Sequence, residues 1–211
     1  MHKAVKDGRD FYYIDTGYFG NDKTKLYHRC VKNALQFNLP IWKDCPDDRF
    51  LKTGTQIRRH TPGENILLCP PSQKALSYWN VDLQEWLDST VENLKKYTKR
   101  PIVIREKQKR NVRTTEDTME MALQRDVHCL VTYNSIAAVE ALILGKPVFV
   151  MGPNAAEPLA NTDLSKINNP MMPVIDRVRQ LCCNLAYGQF TPAEMIDGTA
   201  WRILNEFYDR K

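Results

Sequence analysis

Residues 131–151, Val-Thr-Tyr-Asn-Ser-Ile-Ala-Ala-Val-Glu-Ala-Leu-Ile-Leu-Gly-Lys-Pro-Val-Phe-Val-Met, constrain the fold more than any other part of the chain. Val127–Thr132 is a short apolar run rich in β-branched residues, the mark of a strand covered on both faces. Ser135 offers a hydroxyl where a helix can start, and Gly145 stands where that helix must stop. Pro147 opens the next strand, Val148–Met151, where a missing N–H is harmless. The C-terminal ends of strands in an open α/β sheet carry ligands, and a helix start there favours an anion. Tyr133–Ser135 is therefore a natural phosphate seat. Glu140 is the one charged group on an otherwise apolar helix, where a lone carboxylate is costly unless it has work to do.

The same alternation extends outward from this core. Asn65–Cys69 reads as a strand stopped by Pro70-Pro71, and Asp82–Tyr97 as a helix with Leu83, Trp86, Leu87, Thr90, Val91 and Leu94 on one face. Pro101–Arg105 is the next strand and Glu116–Gln124 the next helix. Helices follow at Pro173–Ala186 and Pro192–Tyr208. The last begins with Thr191-Pro192-Ala193-Glu194, which supplies an N-cap, a proline at the first helical position and a capping-box glutamate. Its buried stripe is expected to be Ile196, Ala200, Ile203, Leu204 and Phe207. Four parallel strands with crossover helices make a Rossmann-like domain over residues 62–211. Residues 1–61, with one clear strand at Phe11–Ile14 and a loop-like stretch over 43–64, form a shortened N-terminal α/β unit.

With 211 residues and an ordinary apolar fraction of 43%, the chain can bury a proper core. No apolar run approaches the ~20 residues of a membrane span, and the N-terminus lacks the apolar centre of a signal peptide. Six cysteines occur without Cys-x-x-Cys spacing, two in strands and two adjacent on a helix. A disulfide framework or zinc site is not expected, and the reading is cytoplasmic and reduced. Of the net charge of +5, much falls in Lys95, Lys96, Lys99, Arg100, Arg105, Lys107, Lys109, Arg110 and Arg113. That cluster reads as a solvated helix end with a loop, or as a field for a polyanionic partner.

Further candidates lie nearer the N-terminus. Asp15 ends the first strand in Asp-Thr-Gly, a common turn in which the carboxylate satisfies nearby N–H groups. Tyr18 and Phe19, just past it, are core residues or a stacking surface for a sugar or base. His28–Asn33 has helical character, so Arg29 and Lys32 would share a face and aim at one anion, or form exposed salt bridges. His128 reads as a hydrogen-bonded core residue. No P-loop, dinucleotide fingerprint or Gly-x-Ser-x-Gly elbow is present.

Tyr133-Asn-Ser-Ile-Ala-Ala-Val-Glu-Ala-Leu-Ile-Leu-Gly-Lys-Pro-Val resembles the S/T-x(4)-E-A-L-x(2)-G-K-P-V signature of GT-B glycosyltransferases. The likeness is to the capsule polysaccharide synthesis group that transfers Kdo-type sugars. Tyr12-Tyr-Ile-Asp-Thr-Gly-Tyr-Phe is similar to that group's acidic D-G-[YF] turn. Small proteins of this look occur in tailed bacteriophages, which would put the chain in the host cytoplasm. The resemblance implies that the donor phosphate sits on Asn134, Ser135 and Ile136, and that Glu140 accepts hydrogen bonds from donor hydroxyls. It also implies Asp15 as general base on the acceptor, with Arg105, Arg29 and Lys32 as cations and Tyr18 beside the acceptor. The nucleotide-sugar is a substrate; no cofactor and no metal are expected. Where capsule-type enzymes carry His-Pro after the strand matching Pro101–Arg105, this chain runs Arg105-Glu-Lys-Gln.

Two functions follow. One is a glycosyltransferase acting on a surface glycan or on modified phage DNA. The other is a catalytically inactive nucleotide- or nucleic-acid-binding protein acting on a host system.

Overall fold

The buried runs of the sequence do become strands, and they fall into two sheets of opposite character. The computed structural model describes residues 2–21, 26–37, 41–72, 76–106 and 118–208. Its strands are β1 (Tyr12–Thr16), β2 (His28–Lys32), β3 (Asn65–Cys69), β4 (Ile102–Ile104), β5 (Val127–Thr132), β6 (Val148–Val150) and β7 (Gln189–Phe190). The chain divides into a unit of residues 57–175 and a unit of residues 1–56 with 176–211.

The 57–175 unit carries an all-parallel sheet in the order β4-β3-β5-β6. Its central strands β3 and β5 are buried on both faces, as continuous apolar runs demand: Ile66, Leu68, Cys129 and Val131 on one face are at 0% exposure, and Leu67 and Leu130 on the other are buried too. Each such side chain contributes roughly 1.5–3 kcal/mol of burial. The Leu83–Tyr97 helix packs onto this core through Trp86 and Leu94. Its start is fixed by Asp82, whose side chain accepts the Glu85 N–H at 2.9 Å. The Met119–Gln124 helix is capped in the same way by Thr118, and Ala137–Ile143 forms the short helix between β5 and β6. The α/β, Rossmann-like character expected from the sequence holds for this unit.

The Gly-Lys-Pro turn anchors the chain entering this unit. Gly145 has φ +73°, and a Cβ there would lie 2.3 Å from the Arg59 carbonyl oxygen. Lys146 is buried, its Nζ donating to the carbonyls of Thr61 at 2.8 Å and Val127 at 2.9 Å. His60 Nδ1 is bonded to the Gly145 carbonyl at 2.9 Å. The glycine and lysine of the signature therefore do backbone work.

The other unit holds an antiparallel sheet in the order β1-β2-β7. Three sequence expectations change here. His28–Lys32 is a strand, not a helix, because it pairs with β1 along its whole length. Residues 176–211 group with the N-terminal unit, whereas the sequence reading set one boundary at residues 61 and 62. The two-residue strand β7 contributes to that link by pairing with β2, a long-range contact without local signature, and Arg49 and Trp42 add bonds to Glu194 and Asn184. The expected Pro192–Tyr208 helix is two helices, Pro192–Ile196 and Thr199–Tyr208, separated at Gly198 with φ +83°. The break ends the helical phase, so Ile196 is 87% exposed while Ala200 and Leu204 are buried. Thr191 and Glu194 form the expected capping box.

All six cysteines are buried free thiols. Among the described residues no helix is long and apolar enough to cross a membrane.

Candidate functional site

In the parallel sheet β3 continues to β4 on one side, while β5 continues to β6 on the other. The connections diverge at the C-terminal ends of β3 and β5, the topological switch point where open α/β sheets bind ligands. Cys69 and Thr132 end these strands side by side. Thr132 Oγ1 donates to the Cys69 carbonyl at 2.6 Å, and the Met151 N–H donates to the Thr132 carbonyl at 2.9 Å. One threonine thus ties three strand ends together.

The Asn134–Ile136 turn leaves from this point. Asn134 is buried, and Ser135 and Ile136 are half-buried. The sequence places Ser135 at the N-cap, but Ile136 holds that position and its apolar side chain makes no capping bond. Ser135 Oγ still accepts the Ala137 N–H, at 3.3 Å. The Ser135 carbonyl accepts from Asn154 Nδ2 at 3.1 Å, and Asn154 Oδ1 accepts the Ala156 N–H at 2.9 Å. Asn154 is 4% exposed, so the turn is braced from the loop after β6. The sequence reading passed over this residue. Its signal is an asparagine directly after Gly152-Pro153, in a loop leaving the same end of the sheet.

Arg105 and Glu140 reach the same end. The Arg105 N–H donates to the Leu68 carbonyl at 2.9 Å, which sets its side chain beside the tip of β3. Burial pushes the Cys69 thiol up to about 12, and the charges of Arg105 and Glu140 act on it in opposite directions. Both side chains are half-buried and within electrostatic reach of one sulfur. Tyr133, at the start of the turn, makes aromatic contacts that the sequence pattern does not show. Tyr133 meets Trp79 at 5.9 Å and Trp86 at 6.2 Å, both edge-on. Gly152 lies on its ring so closely that a Cβ would come within 2.5 Å of Tyr133 Cζ.

The remaining predicted residues lie in the antiparallel unit. Cross-strand register aligns Asp15, Arg29 and Gln189 in one row over three strands, on one face of the sheet. Asp15 Oδ2 accepts from Tyr13 Oη at 2.9 Å and Arg29 Nη2 at 3.1 Å, and Oδ1 accepts the Thr16 N–H at 2.7 Å. Its side chain is 46% exposed, so the carboxylate is both held and accessible.

Arg29 is different from its expected role. Its side chain is 8% exposed, donating to the carbonyls of Leu35 and Thr16 as well as to Asp15. Lys32 pairs with Asp10 at 2.7 Å. In a strand, residues three apart point to opposite faces, so Arg29 and Lys32 do not converge on one anion. Tyr18 is 1% exposed and its hydroxyl accepts the Phe37 N–H at 2.7 Å, so it is a core residue rather than a stacking surface.

A cavity of about 280 Å³ opens in this unit, lined by Tyr27, Arg49, Lys52, Gln189, Thr191 and Glu194 among others. Arg49, Glu194 and Gln189 in its lining are engaged with one another or with the backbone. Arg49 bonds Glu194 twice, at 2.7 and 3.2 Å, and the carbonyls of Ala186 and Gln189. Gln189 Oε1 accepts the Tyr18 N–H at 2.8 Å and its Nε2 donates to the Phe19 carbonyl.

Of the basic cluster, Lys95, Lys96 and Lys99 are exposed, while Arg100 bonds Glu64 at 2.7 Å. Lys107, Lys109, Arg110 and Arg113 lie outside the described residues. His128 is a hydrogen-bonded strand residue, its Nε2 meeting the Ile167 carbonyl at 2.8 Å. Among the described residues no group of three His, Cys, Asp or Glu side chains is arranged to hold a metal ion. No family model matches the chain, and no curated protein is significantly similar to it.

Proposed function

We propose that the chain is a GT-B-like glycosyltransferase that moves a sugar from a nucleotide-activated donor to a hydroxyl acceptor, a surface glycan or modified phage DNA. The observation that carries this reading is the convergence of the braced Asn134–Ile136 turn, Glu140 and Arg105 at the switch-point end of the parallel sheet. The N–H groups of the turn and the Arg105 guanidinium hold the donor phosphate, and Glu140 accepts from donor hydroxyls. In the transfer step the acceptor hydroxyl gives its proton to Asp15 as its oxygen attacks the anomeric carbon. The bond from that carbon to the phosphate oxygen breaks, and the phosphate leaves with the electron pair. Fixed donors at the phosphate lower the barrier because they need no rearrangement as the charge develops. Asp15 is the proton acceptor in that step, the role that the family resemblance gives it.

A second reading, a nucleotide- or nucleic-acid-binding protein without chemistry, is favoured by the engagement of Arg29, Lys32 and Tyr18 within the fold. A thermal-shift panel of UDP, GDP, CMP and UDP-glucose tests the donor site. A ligand at a hundred times its Kd stabilises the folded state by about 2.7 kcal/mol. At least one panel member is expected to raise the melting temperature of the unaltered protein, and Glu140→Ala removes that rise. Stabilisation by DNA alone, falling steeply with salt, would favour the second reading.

A further inference from the structure

Asp15 is held by more than a turn. Tyr13 and Asp15 stand two residues apart on β1, so their side chains share a face, and Arg29 joins them there from the opposite position on β2. The Arg29 guanidinium lies between two phenol rings, 5.6 Å from the centre of Tyr13 and 5.7 Å from that of Tyr18. With two backbone carbonyls also bonded to it, the guanidinium is fixed in plane and position. Two fixed donors, the Tyr13 hydroxyl and Arg29 Nη2, meet at one oxygen of the carboxylate, and the Thr16 N–H holds the other. A buried guanidinium and a half-buried phenol are thus committed to one exposed strand aspartate.

We propose that Tyr13 and Arg29 are positioning residues that keep the accessible Asp15 carboxylate ionised and in one orientation for proton transfer from a hydroxyl. The inference rests on the reading of Asp15 as the base. A carboxylate that rotates spends much of its time misdirected, and two donors at one oxygen remove that freedom. Hydrogen bonds to the charged form also favour that form. The arrangement gives up some basicity in return for a carboxylate that is present and aimed over a wide pH range. In agreement with this contact, burial and then the Asp15 charge hold the Tyr13 phenol above the ordinary tyrosine range.

The test is a pair of titrations. Phenolate absorbance of the unaltered protein minus that of Tyr13→Phe isolates the Tyr13 ionisation. Asp15→Asn removes the neighbouring charge and is expected to raise the Tyr13 acid constant about fivefold. Reciprocally, the Asp15 carboxyl ¹³C signal is expected to take up its proton at higher pH in Tyr13→Phe, which keeps the ring over Arg29. Unmoved midpoints in both titrations would overturn the inference. Both run without nucleotide or acceptor, so a protein that binds no nucleotide still answers them. Nucleotide binding with unmoved midpoints would sink this inference alone.

Discussion

Charged and polar side chains are buried in both units, yet they are spent differently. In the 57–175 unit, apolar strands supply the cohesion, buried Thr132 and Asn154 brace the strand ends and one turn, and Ser135, Glu140 and Arg105 beside them remain half-exposed. The antiparallel unit has three short strands and relies on polar hubs. Arg29 joins β1 and β2 to the Leu35 carbonyl, and Arg49 joins the Asp48–Lys52 helix to β7 and Glu194. Asn184 bonds the backbone of Trp42 in both directions. An arginine in such a unit is a structural joint first. That is why residues that look alike in sequence, Arg29 and Arg105, have different fates.

Removing a hub should produce the largest effect. Arg49→Ala leaves Glu194 without its cation in a partly buried site and is expected to cost about 3–5 kcal/mol in urea unfolding. A loss below about 1 kcal/mol would mean that the unit does not depend on such joints. The corresponding change in the other unit, Glu140→Ala, is expected to cost less than about 1 kcal/mol in the same experiment. Its effect belongs in ligand binding, so a large stability loss would make Glu140 a structural joint as well.

His128 gives the smallest expected effect. Burial holds its imidazolium down, against the hydrogen bond to Ile167 that favours it. The unfolded chain therefore takes up the proton first as pH falls past the ordinary imidazole value of 6.5. Stability contributed at neutral pH should be lost on acidification below that point. His128→Gln should flatten that part of the melting-temperature profile. A profile equally steep in the variant would assign the acid sensitivity elsewhere.

Local signals made much of the parallel unit legible before its coordinates. Asn65–Cys69 and Val127–Thr132 are strands with the bounds that composition set, because a two-sided buried strand announces itself by continuous apolar residues. The Thr191 capping box was legible for the same reason: three residues carry the whole signal. Strand β2 was not, since His-Arg-Cys-Val-Lys has no strong period and becomes a strand only through its partners. Nor was the attachment of residues 176–211 to the N-terminal unit, which is made by long-range contacts such as the pairing of β7 with β2, Arg49 with Glu194 and Asn184 with Trp42. At the candidate site, Ser135 and Glu140 stand out from the strand–turn–helix pattern, and Arg105 enters through the family resemblance. Asn154 and the Trp79–Tyr133–Trp86 contact depend on loops meeting in space, which spacing along the chain does not encode.

The central claim is that a nucleotide is held where β3 and β5 end. Amide-resolved NMR with UDP, GDP and CMP added in turn addresses it directly. The account predicts that one of them moves the amide signals of Asn134, Ser135, Ile136 and Arg105 more than any in the antiparallel unit, and that Glu140→Ala abolishes the change. Still signals at those four positions with all three nucleotides, or changes confined to the antiparallel sheet, would contradict it.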